Sequence, residues 1–191
     1  MSIKDTLKMI GAVAPSSSVL ARAMVHYAIS GTGPILEVGA GTGPITKILA
    51  KKAVGRVDVV EIIPEFAKLL ERRFGQALNI HNCNILDFDT KTKYQYIISS
   101  LPFNAFSPDV VSAIINKLKS LATDDAVLSF FEYRIMQGIL PMFFSKNGSI
   151  SYQETRKVID QFVSSYQFEE KSVYLNIPPA VVHYLSLNKG S

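Results

Sequence analysis

The chain has no tryptophan and a single cysteine, Cys83, in 191 residues. One thiol excludes an internal disulfide and any zinc site built on paired cysteines, and no other metal-ligand spacing stands out. Long apolar runs are also missing. The longest stretch without Asp, Glu, Lys or Arg, from Ser172 to Asn188, is broken by Asn176-Ile177-Pro178-Pro179, whereas a spanning helix needs about 20 continuous apolar residues. Residues 9–15 are apolar, but Asp5 precedes them and Ser16-Ser17-Ser18 follows at once, which argues against a secretory leader. These absences lead to the expectation of a soluble, cytoplasmic protein.

Hydrophobic residues make up 48% of the chain and charged residues 19%. That is enough to bury a substantial core and excludes wholesale disorder. The length suits one compact domain and falls short of two ordinary ones. The net charge of +4 suits an anionic partner, nucleic acid or lipid headgroup, without choosing between them.

Strands and amphipathic helices alternate from residue 35 to residue 130. Ile35 to Val38 is a short buried strand ending in glycine. Pro44 opens a helix with Ile45, Ile48 and Leu49 on one face, and Val57 to Glu61 is the next strand. Pro64 opens a helix carrying Phe66, Leu69, Leu70 and Phe74, a position where the missing N–H of proline costs nothing. Leu78–His81 and Tyr94–Ser100 read as strands. A helix capped by Ser107-Pro108-Asp109 follows, and Ala126–Phe131 is a fifth strand. Successive strand–helix units imply right-handed crossovers and a parallel sheet covered on both faces. The tail differs: a helix near Gln153–Ser165, then Phe168–Leu175 and Val181–Leu187 as an antiparallel pair.

Where the first strand meets the first helix stands Glu37-Val38-Gly39-Ala40-Gly41-Thr42-Gly43. Glycines there permit a tight turn and close approach of a ligand to the backbone. The dinucleotide fingerprint fails, because its third glycine would fall on Pro44, and a phosphate-binding P-loop fails for want of a following Gly-Lys-Ser/Thr. What remains is an acid, three alternate glycines and a second acid, Glu61, ending the next strand. Glu61 can take both hydroxyls of a ribose, and Glu37 can attract an ammonium across the turn.

This arrangement resembles motif I and the following acidic motif of the class I S-adenosylmethionine-dependent methyltransferases. The resemblance implies a Rossmann-like α/β fold: a seven-stranded sheet, mostly parallel with one antiparallel strand, with helices on both faces. It implies S-adenosylmethionine as cofactor and S-adenosylhomocysteine as product. Glu37, Gly39, Ala40, Gly41, Gly43, Glu61 and Ile62 would line the cofactor site. After the third strand, Asn84 with Ile85 matches the slot beside the adenine amino group; Asp87 competes with it, and an Asx-rich turn is the plain alternative. Ser99-Ser100-Leu101-Pro102-Phe103-Asn104 occupies the place of the family's motif IV beside the reactive methyl, with Ser100 reaching both cofactor and acceptor.

Enzymes of this class that methylate adenine N6 carry Asn/Asp-Pro-Pro-aromatic or Asn-Leu-Pro-aromatic at motif IV. Here Ser100-Leu101-Pro102-Phe103 keeps the frame and replaces the amide with serine. Residue 191 also follows directly on the last expected strand, where ribosomal RNA adenine dimethylases continue into a helical RNA-binding domain. Three segments instead resemble the bacterial phospholipid N-methyltransferases, which are similar to those dimethylases: Gly11-Ala12-Val13-Ala14-Pro15-Ser16-Ser17-Ser18, the motif IV loop, and Asn176-Ile177-Pro178-Pro179-Ala180. The resemblance implies stepwise N-methylation of phosphatidylethanolamine toward phosphatidylcholine at the inner membrane face, with no nucleic-acid partner. Residues 1–30 would form a helical segment capping the site and residues 31–191 the methyltransferase domain. The rival functions are RNA adenine N6-dimethylation and a catalytically idle cofactor-binding module.

Within that frame Ser100, Phe103, Tyr27 and Tyr133 are the catalytic candidates. Aromatic faces stabilise methylammonium groups by about 0.5–2 kcal/mol each, so Phe103, Phe106, Tyr133 and Tyr184 are candidates for a cation-binding lining, with ordinary core packing as the rival for each. Pro102, Asn104 and Arg134 complete the acceptor side, with Arg134 placed to pair with a phosphodiester or to remain solvated. Ser16 and Ser17 either cover the carboxylate end of the cofactor or simply cap the helix that follows. No general base stands out; His26, His81 and His183 read as structural. Two apolar segments, Ile3, Leu7 and Ile10 with Lys4 and Lys8, and the run from Ile135 to Phe144, are candidates for contact with a bilayer.

Overall fold

The computed structural model describes residues 17–134 and 146–187. Ser16 and both expected bilayer-contact segments, within 1–16 and 135–145, lie outside the described residues. Five helices and seven strands follow in order: α1 (Ser18–Met24), β1 (Ile35–Val38), α2 (Thr46–Lys52), β2 (Val57–Val60), α3 (Pro64–Phe74), β3 (Asn79–His81), β4 (Tyr94–Ser99), α4 (Pro108–Leu121), β5 (Ala122–Tyr133), α5 (Lys146–Tyr166), β6 (Gln167–Val173) and β7 (Ala180–Ser186).

The strands form one sheet in the order β3-β2-β1-β4-β5-β7-β6. Strands β3, β2, β1, β4 and β5 run parallel, and β7 is antiparallel to both β5 and β6. The expected single reversed strand is therefore β7. Strand β1 lies inside the sheet between β2 and β4, and its four residues are all buried, as a strand covered on both faces must be. The chain reverses direction in sheet order between β1 and β4, which places a crevice at the carboxyl ends of these strands.

Each face of the sheet has its own core. Helices α1, α2 and α3 cover one face through Leu20, Met24, Ile45, Leu49 and Leu70. Helices α4 and α5 cover the other through Val111, Ile114, Leu118, Ile159 and Phe162. Helix α3 illustrates the local logic: Pro64 opens it, Glu65 lies in the first turn, and Arg72 and Arg73 lie in the last, so charge opposes the helix dipole at both ends.

Some expectations shift. Ser107 stands at the N-cap of α4 but makes no side-chain capping bond. Strand β5 begins at Ala122, four residues earlier than the apolar run implied, because Tyr94 pairs with Ala122 across an irregular register. Helix α2 begins at Thr46, with Lys47 N–H already donating to the Gly43 carbonyl at 2.9 Å.

Candidate active site

The glycine turn hangs over the end of β1. Gly39 N–H donates to the Val60 carbonyl at 2.9 Å and Gly43 N–H to the Ala40 carbonyl at 3.0 Å, so the turn is fastened to β2 and closed on itself. Gly41 has φ +56°, and a Cβ there would meet no protein atom within 4 Å. The turn thus leaves open space in front of Gly41. Gly43, at φ +86°, is required by packing: a Cβ would come within 2.7 Å of Leu70 Cδ2.

Glu61 is almost fully buried and braces this turn. Its Oε2 accepts from Gly41 N–H at 2.7 Å and its Oε1 from Ile63 N–H at 2.8 Å. Burial pushes its carboxyl up, and these backbone donors pull it back only in part. A carboxylate offers about four acceptor positions, so two remain for the ribose hydroxyls. The sequence predicts a ligand role for Glu61 and gives no sign of this bracing role.

Glu37 departs from expectation. It is fully buried beneath the turn, with Oε1 accepting from Thr46 Oγ1 at 3.0 Å and Oε2 left without a partner. So buried, it is placed to influence a cation through the electrostatic field and not by direct contact. Burial drives its pKa up to about 8, against the lowering by Thr46. An orphaned buried carboxylate oxygen under an open glycine turn fits a cationic ligand seated above.

The adenine-side residues are less open. Asn84 Oδ1 accepts from Leu86 N–H at 3.1 Å, the Asx-turn arrangement, and Ile85 is buried in the core. Ile62 packs against the same core. Asn82 rather than Asn84 ties back to the cofactor strand, donating to the Glu61 carbonyl at 2.8 Å.

The motif IV loop lies directly beside the glycine turn. Ser100 N–H donates to the Val38 carbonyl at 2.9 Å, and Leu101 Cδ2 lies 3.0 Å from where a Gly39 Cβ would stand. Ser100 and Pro102 are half-buried at the crevice. The aromatic candidates divide. Tyr133, at the end of β5, is half-buried, and burial raises its hydroxyl pKa, keeping it protonated. Phe103 and Phe106 are buried in the core instead of projecting over the crevice, Phe103 edge-on to Phe130 at 5.3 Å between centroids. Tyr184 is also buried, its hydroxyl donating to the Ala23 carbonyl at 2.7 Å.

Tyr27 is not at the crevice. Its hydroxyl bonds the Glu169 carboxylate on β6 and its ring packs on Phe168 and Tyr184. Strand β6 is four strands from β1, about 19 Å at ordinary spacing. Ser17 sits at the rim farther along: its Oγ caps α1 through Leu20 N–H at 3.2 Å, and its N–H donates to Asn176 Oδ1 at 3.1 Å. Helix α1 packs on β5, β6 and β7, and its Leu20, Ala23 and Met24 share a core cluster with Ala40 of the glycine turn. Arg134 is exposed and donates to Ser172 Oγ at 2.7 Å.

One buried group was missed altogether. Glu132, on β5, accepts from Asn104 Nδ2 at 2.8 Å, is ion-paired with Arg156 of α5, and lies 3.3 Å from His183 Nε2 on β7, although that histidine nitrogen is misaligned for a hydrogen bond. Burial pushes the Glu132 carboxyl up, but His183, Arg156 and Asn104 together outweigh it and hold it below the usual range. Asn104 Oδ1 also accepts from Arg156 Nη1 at 3.2 Å. The motif IV loop is thereby anchored to α5. His183 Nδ1 bonds Gln167 at 2.6 Å and His81 Nε2 bonds Asp58 at 2.7 Å, which agrees with structural roles for both.

A β3-β2-β1-β4-β5-β7-β6 sheet with β7 reversed, an open glycine turn after β1 and an acid after β2 define an S-adenosylmethionine-dependent methyltransferase of class I. Solved structures share this fold. A methyltransferase from Clostridium acetobutylicum aligns with TM-score 0.70 at 12% identity, covering 97% of each chain. The N-methyltransferase NodS of Bradyrhizobium japonicum, bound to S-adenosylhomocysteine, aligns with TM-score 0.67 at 13% identity, covering 89% of this chain and 86% of its own.

More particularly, the chain belongs to the ribosomal RNA adenine dimethylase family, whose model matches residues 15–191. It is similar to an ornithine lipid N-methyltransferase of Singulisphaera acidiphila, 26% identical over 189 residues that cover 92% of this chain and 87% of the relative. It is also similar to ribosomal RNA small subunit methyltransferase A of Pelagibacter ubique, 28% identical over 65% of this chain. The match spans about half, 48%, of that relative's length. The kinship read from the motifs, lipid N-methyltransferases on one side and RNA dimethylases on the other, holds. No helix among the described residues is long and apolar enough to cross a membrane.

Proposed function

We propose that the protein methylates the amine of phosphatidylethanolamine stepwise toward phosphatidylcholine, working at the inner face of a membrane. One observation carries this choice of acceptor. The amide in the motif IV loop, Asn104, is consumed by Glu132 and Arg156, and Ser100 stands where adenine recognition calls for an amide. Phe103 is buried as well, so it offers no face on which an extruded base could stack. A small, flexible primary amine needs neither feature. The long alignment with an ornithine lipid N-methyltransferase supports the same direction.

When bound, the cofactor supplies an electrophilic methyl group on a sulfonium. The protein's own residues hold and orient. Glu61 takes the ribose hydroxyls while bracing the turn, and the buried Glu37 carboxyl, protonated near neutral pH in the empty site, ionises beneath a bound cation. Ser100 and the loop carbonyls receive the acceptor amine, and Tyr133 presents a ring against the growing methylammonium. Tyr133 stays protonated, so it is not the base; the amine's proton leaves to water.

The family description favours a second reading, adenine N6-dimethylation of RNA. Purified protein given methyl-labelled cofactor with phosphatidylethanolamine liposomes or with ribosomal RNA separates the two. Label in mono- and dimethylated lipid supports the proposal, label in RNA alone replaces it with the second reading, and label in neither indicates an idle cofactor-binding module.

A further inference from the structure

Among the described residues, the turn joining β6 to β7 carries the two most exposed large apolar side chains, Ile177 and Leu175, with Tyr174 beside them. Tyr174, Leu175 and Ile177 are 69%, 79% and 88% exposed. Among the described residues, the exposed large apolar side chains other than Val54 all lie on α1, on β6 or on this turn. The exposure is held in place. Asn176, between Leu175 and Ile177, is buried; its Oδ1 accepts from Ser17 N–H at 3.1 Å and its Nδ2 donates to the Pro178 carbonyl at 2.7 Å. Arg134 N–H donates to the Pro179 carbonyl at 2.9 Å and fixes the far side. A turn so pinned presents its apolar side chains outward whether or not anything covers them.

Cations surround it. A cleft of about 460 Å³ between α1 and the end of β6 is lined by Arg22, His26 and Lys171 together with Ser172, Tyr174 and Leu175. Arg134 lies over the Tyr174 ring, 5.7 Å from its centroid. The acids of β6, Glu169 and Glu170, lie about 13 Å or more from Tyr174 along the strand; Glu170 adjoins Lys171, and Glu169 is engaged by Tyr27. Strand β6 runs parallel to β1 and β4, so the turn stands on the same rim of the sheet as the glycine turn and the motif IV loop.

We infer that this turn is a docking tip for an anionic phospholipid surface: Leu175, Ile177 and Tyr174 enter the interface while Arg22, Lys171 and Arg134 lie against lipid phosphates. Apolar area and cationic charge at one interface are the two terms that hold a peripheral protein on an anionic bilayer. Because the tip shares the catalytic rim, docking turns the crevice toward the membrane. The inference rests on the lipid reading above and assigns it a surface outside the crevice.

Co-sedimentation with vesicles of phosphatidylglycerol and phosphatidylcholine tests it, since neither lipid offers a methylatable amine and binding is read apart from catalysis. The protein is expected to bind, the paired variant L175E/I177E to lose tenfold or more in partitioning, and R22E/K171E to lose at least tenfold with a weakened salt dependence. Affinity for S-adenosylhomocysteine, measured by calorimetry, should be unchanged in both and reports that they are folded. Should the paired variants misfold, Leu175→Trp supplies a second readout: the chain has no other tryptophan, and its emission should shift to the blue on adding vesicles. No vesicle binding by the parent protein, undiminished binding by L175E/I177E, no shift at position 175, or a binding loss confined to RNA would overturn the inference. Methyl transfer to detergent-dispersed phosphatidylethanolamine that persists alongside such a result would leave the substrate reading standing.

Discussion

Gly41 and Glu61, on successive strand–helix connections, are joined by a 2.7 Å hydrogen bond from the glycine N–H to the carboxylate. The acid proposed to receive the ribose is thus the acid that holds the turn in shape. In that proposal, ligand recognition and the shape of the recognition loop rest on one side chain.

Gly41 and Gly43 of that turn should fail differently. Gly41→Ala places a methyl in open space at φ +56°; the strain is about 1–2 kcal/mol, a small fall in melting temperature, but the methyl occupies the space open to the ligand. Gly43→Ala forces a contact 2.7 Å from Leu70 Cδ2 in addition to its positive φ, and should cost about 2–4 kcal/mol. Calorimetry and thermal melts should show a binding defect with near-normal stability for the first and lowered stability for the second.

The raised Glu37 carboxyl makes stability pH-dependent. Its folded pKa of about 8 lies above the ordinary carboxyl value of 4.5, so the folded state retains a proton that the unfolded state has lost. Stability is greatest below the unfolded pKa and declines as pH rises toward 8, by up to about 1.4 kcal/mol per pH unit. Chemical denaturation of the ligand-free protein from pH 5 to 8 should show that slope, and Glu37→Gln should flatten it. A cation bound above the turn favours the ionised carboxylate, so cofactor binding should release a proton. Its measured enthalpy at pH 7 should then vary with the ionisation enthalpy of the buffer, and the variation should vanish in Glu37→Gln.

Arg156 joins α5 to the motif IV loop through Glu132 and Asn104. Arg156→Ala leaves the buried Glu132 carboxylate without its ion-pair partner, held only by the Asn104 amide and the neighbouring His183, a loss of about 3 kcal/mol. The loop is released with it, so kcat should fall more than KM for the lipid. Steady-state kinetics together with urea denaturation check both parts.

Much of this architecture was legible from local signals. Strand β1 coincides with the apolar run Ile35–Val38, and α3 starts at Pro64, because proline and glycine punctuate there and the packing agrees. The strand order follows from the family resemblance; periodicity alone cannot order strands. Glu132 escaped notice because an acid within Phe130-Phe131-Glu132-Tyr133 reads as a solvated position, and its partners on α5 and β7 become neighbours only after folding. The rings divided for a related reason. Alternation tells which face of a strand a residue takes, not whether that face is core or crevice, so Tyr184 and Tyr133 looked equivalent.

The central claim, that Glu61 and its turn receive S-adenosylmethionine, is tested most directly by titrating S-adenosylhomocysteine into the protein and into Glu61→Ala in a calorimeter, with circular dichroism confirming the fold. Loss of hydrogen bonds to a charged group, at about 1.5–3 kcal/mol each, predicts at least about a hundredfold weaker binding for two of them. Equal affinity in the two folded proteins would contradict the account.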